Sequence, residues 1–295
     1  MGKDLADAFP SARVLFEQAD AILGYELSRF CWDGPAETLT RTEHCQPALY
    51  VTSLAVLAAL KSEFKTPLRP SASAGLSLGE YTALAAADAV SFADGLRLVR
   101  LRGQAMEEAA RANPGTMASV LGLDLASLEA VCTEAGAQVA NLNSPGQIVI
   151  SGPLAAVELA SAKAKEKGAK RVIPLEVGGA FHSRCMEPAA IRLCQALESV
   201  EVRAPTFPVF SNVTGKAHAG PAEIRRLLVD QLTHPVQWIA CMQGLVSSGI
   251  RTGLEAGSGS VLKGLFRKLD PEVTVHSVGT SGQVRETALL LSGSG

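Results

Sequence analysis

The sequence predicts an α/β protein: a core of parallel strands and helices, interrupted by a small β-rich insert. Three observations predict it. A small-residue strand at 71–74 runs through a Gly-Leu-Ser-Leu-Gly turn straight into an Ala/Leu-rich helix. Between about 114 and 178 the rhythm changes to short alternating strands and two helices. After about 179 the first rhythm returns. Strands alternating with helices imply a parallel sheet covered on both faces.

Residues 46–64 read as a buried helix, Gln46-Pro47-Ala48-Leu49-Tyr50 opening a long Ala/Leu/Val run that Pro67 and Pro70 end. The strand 71–74 and the turn Gly75 to Gly79 lead into a helix from Leu78. A second helix spans 92–110, and Asn113-Pro114-Gly115 closes the block. Strand 117–121, helix 125–135, strands 138–142 and 147–151 about the turn Ser144-Pro145-Gly146, helix 154–167 and strand 170–176 come next. Gly168 takes the C-cap position. That β-α-β-β-α-β order is the split-βαβ or ferredoxin-like signature. Helix 187–200, strand 207–211, helices 221–232 and 236–248, strand 252–255 and helix 261–269 complete the core. The expected division is 1–113 with 179–285 as a discontinuous core, 114–178 as the insert, and 286–295 as a flexible tail.

Composition narrows the class. The chain has 295 residues, 47% hydrophobic and 19% charged, so it is globular rather than disordered. The net charge of -2 offers no basic stripe for nucleic acid. No apolar run reaches the roughly 18 residues of a membrane span, and the start Met1-Gly2-Lys3-Asp4-Leu5 has no signal-peptide character. Six scattered cysteines with no C-x-x-C pair argue against metal binding and a disulfide framework, and fit a reducing compartment.

Chemistry concentrates at a few residues. Gly75-Leu76-Ser77-Leu78-Gly79 matches G-x-S-x-G between a strand and a helix, which holds Ser77 out on a tight turn. The helix after it aims N–H groups at the same spot, so the Leu78 amide can stabilise an oxyanion. A plain Gly/Ser turn is the competing reading. Of five histidines, His182 lies where the insert returns to the core, a common place for a site. It serves as the base Ser77 needs, or is simply a loop histidine. His276 reads as a packing residue and His218 as solvated. No acid between Ser77 and His182 is placed to complete a triad, so a main-chain carbonyl is expected to hold the imidazole. Arg102, on an apolar helix, needs an anion: a substrate carboxylate, solvent or an internal acid. Lys163, Lys165, Lys167, Lys170 and Arg171 form a basic run, either a solvated face or a dock for an acidic carrier.

Together these residues resemble the malonyl-CoA:acyl-carrier-protein transacylase family along nearly the whole chain. Gly75-Leu76-Ser77-Leu78-Gly79-Glu80-Tyr81 is similar to the family's G-H-S-L-G-E-Y, Arg102-Gly103-Gln104-Ala105-Met106 to R-G-x-x-M, and Asn141 to Gln147 to N-x-N-S-P-x-Q. Gly179-Ala180-Phe181-His182 falls where the family keeps its histidine, and Glu255 to Gly259 resembles E-x-G-P-G. The resemblance implies an α/β-hydrolase-like core with a ferredoxin-like insert. It implies malonyl transfer through a malonyl-Ser77 ester, with His182 as acid and base and Arg102 on the free carboxylate. Leu78, Met106, Asn143 and Phe181 would line the substrate, and His234-Pro235-Val236-Gln237 would supply the carbonyl for His182. Phe181 implies malonyl rather than methylmalonyl. The implied partners are malonyl-CoA and acyl carrier protein, with no cofactor or metal, no nucleic acid and no membrane, and a monomeric state.

Three departures from the family pattern stand out. Leu76 replaces a histidine, a variant that with Gly-Ala-Phe-His looks like plastid-type members; a plastid or a bacterial-type cytoplasm is the implied setting. Ser258 replaces a proline. The family opens with an apolar strand and G-Q-G-x-Q, whose glutamine amide is a second oxyanion donor, and Met1 to Leu5 resembles the residues just after that motif. The expectation is that this segment is missing and the chain as given impaired, one donor typically supplying ~10²–10³ in rate. The alternatives are another serine acyl hydrolase or thioesterase, and an inactive carrier-binding module.

Overall fold

Helices fill the first quarter of the chain. The computed structural model describes residues 1–65 and 68–292. It opens with Lys3–Ala8, Pro10–Leu23, Leu27–Asp33, Ala36–Thr40 and Thr42–Ser62. The last replaces the expected 46–64 helix, starting four residues earlier and ending two earlier, at Ser62. Pro67, read as its breaker, lies outside the described residues.

The strands are β1 (Ser73–Ala74), β2 (Gly115–Leu121), β3 (Gln138–Ser144), β4 (Gln147–Pro153), β5 (Arg171–Pro174), β6 (Val209–Phe210), β7 (Thr252–Ala256) and β8 (Thr274–Val278). Among the described residues the parallel core consists of two separate pairs, β1 with β6 and β7 with β8. The expected strands 71–74 and 207–211 shrink to two residues each. Pro208 has no N–H to give a ladder, so pairing starts at Val209. The 252–255 strand extends by one residue to Ala256.

Residues 115–174 form one antiparallel sheet in the order β3-β4-β2-β5. Helices Leu125–Ala135 and Leu154–Glu166 cover one face, packing on Ala118, Val120, Ile148 and Ile150. Met117, Ala140 and Val149 alternate onto the other face and meet Leu175 and Phe181. Edge strand β3 is stapled to the core, because Val236 N–H donates to Ala140 O at 2.8 Å and Leu142 N–H to Val236 O at 2.9 Å. Of the basic run, Lys163 is paired with Glu134 at 2.6 Å.

Helix Phe92–Ala112 crosses Thr42–Ser62 antiparallel, its Gly95 against Tyr50 and its Gly103 against Thr42. Ser91 caps it by accepting from Asp94 N–H. The chain closes with helix Ser281–Ser292, which corrects the expected tail at 286–295: Val284, Thr287 and Ala288 form a buried i, i+3, i+4 stripe that docks it on the core. Residues 293–295 of that expected tail lie outside the described residues. No helix among the described residues is long and apolar enough to cross a membrane.

Candidate active site

Strand β1 delivers the chain into a turn that only glycine permits at its first position. A Cβ on Gly75 would overlap the backbone of Gly79, whereas a Cβ on Gly79 would meet nothing. The motif's steric demand therefore falls on Gly75, not on both glycines. Ser77 sits at φ 53° and ψ -102°, outside the regions L-residues favour, as N-cap of helix Leu78–Ala86. Asn212 holds the turn from both ends, its Nδ2 donating to Gly75 O at 2.8 Å and its Oδ1 accepting from Ser77 N–H at 2.6 Å. Leu78 is the first helical residue, so its amide has no intrahelical acceptor.

His182 reaches the serine from the end of the insert, itself at φ 56°. Its Nδ1 is 2.8 Å from Gln231 O and its Nε2 2.8 Å from Ser77 Oγ. A carbonyl only accepts, so Nδ1 carries the proton and Nε2 presents a lone pair to the serine hydroxyl. Burial, then the charge of Arg102, pushes the imidazole down to about 4, against the opposing pull of the Gln231 carbonyl. The ring is thus an empty base at neutral pH.

The orienting carbonyl belongs to Gln231, not to the expected segment 234–237. Val236 spends both backbone groups on β3. Gln231 lies just past helix Pro221–Asp230, where carbonyls lose their intrahelical donors.

Arg102 is 1% exposed. Its Nη1 donates to Gln46 Oε1 at 2.7 Å, and its Nη2 to Ser77 Oγ and Gln231 Oε1, each at 3.0 Å. Its guanidinium lies over the Tyr81 ring, 5.4 Å from the centroid. Nε has no partner, and no described carboxylate is paired with this cation. Burial makes the charge costly, lowering the proton affinity of the group, so an anion arriving beside it is favoured.

Met106 supports Gln46 by accepting from its Nε2 at 3.4 Å. Phe181 is half-buried, packed on the main hydrophobic cluster and on Met117, Ala140 and Val149. Asn143 has a buried Oδ1 with no partner among the described residues and no hydrogen bond to Ser77, His182 or Arg102. His218, read as solvated, is instead buried, its Nε2 2.9 Å from Glu80 Oε1. Gln46, Asn212 and Gln231 had no role assigned from sequence, where their one signal was polarity within apolar stretches; Glu80 stood inside the quoted nucleophile motif but was given no role. No group of His, Cys, Asp or Glu among the described residues could hold a metal ion.

A serine gripped by a neutral imidazole, beside a buried unpaired guanidinium in an α/β scaffold, is the equipment of serine-nucleophile acyl chemistry on an anionic group. The chain belongs to the acyl transferase domain family, whose model matches residues 1–278. It is 46% identical over 283 residues to a malonyl CoA-acyl carrier protein transacylase of Bacillus subtilis, covering 94% of this chain and 88% of that one. A solved acyl-carrier-protein-S-malonyltransferase from Bartonella henselae superposes with TM-score 0.94 at 39% identity, over 99% of this chain and 95% of that one. A type II polyketide acyl-carrier protein in complex with its malonyl-transacylase gives the same score and identity, over 99% and 94%.

Proposed function

We propose that this chain transfers a malonyl group from malonyl-CoA to the phosphopantetheine thiol of an acyl carrier protein, in fatty acid or polyketide synthesis. The observation that carries it is Ser77 Oγ held between His182 Nε2 and Arg102 Nη2. His182 takes the hydroxyl proton while Oγ attacks the thioester carbonyl, and the Leu78 amide faces the oxyanion. The carbon–sulfur bond breaks, and CoA leaves as the thiol with the proton from His182. Arg102 holds the free carboxylate of the malonyl-serine ester. The carrier's thiol then gives its proton to His182 and attacks the ester. The serine departs, reclaiming that proton. Every step uses protein side chains and main chain.

Phe181, beside His182, would crowd a substituent on the α-carbon and so favours malonyl. Asn143 and Met106 complete the proposed lining, Met106 through Gln46. A hydrolase triad would place a carboxylate on Nδ1 of His182, where Gln231 O sits. The sheet order β3-β4-β2-β5 supports reading 114–178 as a ferredoxin-like insert in an α/β-hydrolase-like core of 1–113 and 179–285. A monomer in a plastid or bacterial cytoplasm completes the proposal.

The test is transfer itself. Holo-carrier protein incubated with malonyl-CoA and the chain should gain one malonyl mass, and should not with Ser77→Ala. Malonyl-CoA hydrolysis without carrier gain would replace this reading with a thioesterase.

A further inference from the structure

Among the described residues that are buried, one is a carboxylic acid, Glu80, and one a guanidinium, Arg102. They are not paired. Glu80 lies one turn after Ser77, fully buried, and the transfer chemistry leaves it idle. Its Oε2 accepts from Gln231 Nε2 at 2.6 Å and from Asn212 N–H at 3.1 Å. Its Oε1 meets His218 Nε2 at 2.9 Å. The other ring nitrogen of His218 is buried without a partner, so the imidazole's proton is the one Glu80 accepts.

The consequence runs through Gln231. Its two amide hydrogens go to Glu80 and to Ser77 O, at 2.6 and 3.0 Å. Its Oε1 must then face Arg102 Nη2, and its main-chain oxygen takes His182 Nδ1. A flipped amide would press oxygen against the carboxylate and the Ser77 carbonyl. Through Asn212, the same carboxylate steadies the turn that holds the serine.

Resting on the malonyl-transfer reading, we propose that Glu80 is a positioning residue: it fixes the Gln231 amide, which aims Arg102 at the acyl carboxylate while an interposed amide keeps that guanidinium unpaired. A direct Glu80–Arg102 pair would occupy the fork the substrate needs.

The experiment compares Ser77 acylation rates with malonyl-CoA and acetyl-CoA, since only malonyl offers Arg102 a carboxylate. Glu80→Asp keeps the charge but withdraws it from Gln231. It should lower the malonyl-over-acetyl preference about tenfold or more, as expected for a disturbed charge-assisted hydrogen bond. In a Gln231→Leu background, adding Glu80→Asp should lower the preference no further, because Glu80 acts through that amide. Equal slowing of both acyl groups, or an additive double variant, overturns the proposal. Should Glu80→Asp not fold, Gln231→Leu must lower the preference by itself, and an unchanged preference overturns it equally. A turnover-free arm separates the two readings: the His182 Nδ1 proton resonance should move in Glu80→Asp, and an unmoved resonance counts against positioning. A native chain with no adduct on Ser77 would sink the malonyl-transfer reading while this arm still decides the role of Glu80.

Discussion

A serine hydroxyl is a poor nucleophile until a base without a proton stands on it, and burial keeps His182, the proposed base, free of one. With its folded value near 4, the acid limb of kcat/KM for acylation should fall through about 4 rather than the ordinary 6.5. Activity is full above the limb, where the ring is neutral; a limb at 6.5 in a pH-rate profile would contradict this. The same shift acts on stability. The unfolded imidazole takes its proton near 6.5 and the folded one near 4, so acid favours the unfolded chain between those values. Stability should be full above 6.5 and fall by roughly 3 kcal/mol at most as pH drops through the window. A second prediction concerns the α-carbon. Phe181→Ser should raise the rate with methylmalonyl-CoA relative to malonyl-CoA by ~10–200-fold, since one methyl group is worth ~1–3 kcal/mol in a pocket; an unchanged ratio would remove Phe181 from specificity. At this scale the sequence was uneven. Ser77 is marked by its motif, whereas the residue pattern left His182 and Arg102 with two readings each, and the family resemblance made them candidates. Gln231 is not marked, because its amide meets Ser77 across 154 residues and nothing local announces a hydrogen bond.

Between residues and fold, glycines set how closely elements approach. Helix Phe92–Ala112 carries Arg102, and the next residue, Gly103, lies so near Thr42–Ser62 that a Cβ would stand 2.7 Å from Thr42 O and 2.9 Å from Glu43 Cα. Gln46, which takes Arg102 Nη1, is on that second helix. Gly103→Ala should therefore cost about 1–3 kcal/mol through overpacking, several degrees in Tm, and also shift Arg102. A calorimetric scan identical to that of the native chain would contradict the packing argument. Between residues 46 and 269 the helices and the insert strands were readable to within a few residues because each shows its own period over many positions, whereas the four helices from Lys3–Ala8 to Ala36–Thr40 were not read. Of the core strands, β7 was read to within one residue, whereas β1 and β6 shrink to a two-residue pairing that leaves no period to count. Nor was helix Ser281–Ser292 read, whose Ser/Gly-rich ending resembles a tail although Val284 and Ala288 are buried.

The whole molecule brings together segments remote in sequence: Ser77 just after β1, His182 after β5 and Gln231 just past helix Pro221–Asp230. The backbone staple between Val236 and β3 ties the insert to the same segment that orients His182. The α/β class and the order of the insert's elements were legible from alternation of periods, whereas the splitting of the parallel core into two pairs depends on tertiary placement that no local pattern encodes. The central claim, that these segments build a nucleophile for an anionic acyl group, is tested most directly by intact-protein mass spectrometry after brief exposure to malonyl-CoA. A single malonyl adduct on the Ser77 peptide is predicted. It should be absent in Ser77→Ala and formed about 10- to 100-fold more slowly in Arg102→Ala, the range expected for losing a hydrogen-bonded charge partner. An adduct that persists in Ser77→Ala, or one that forms equally fast without the arginine, would contradict it.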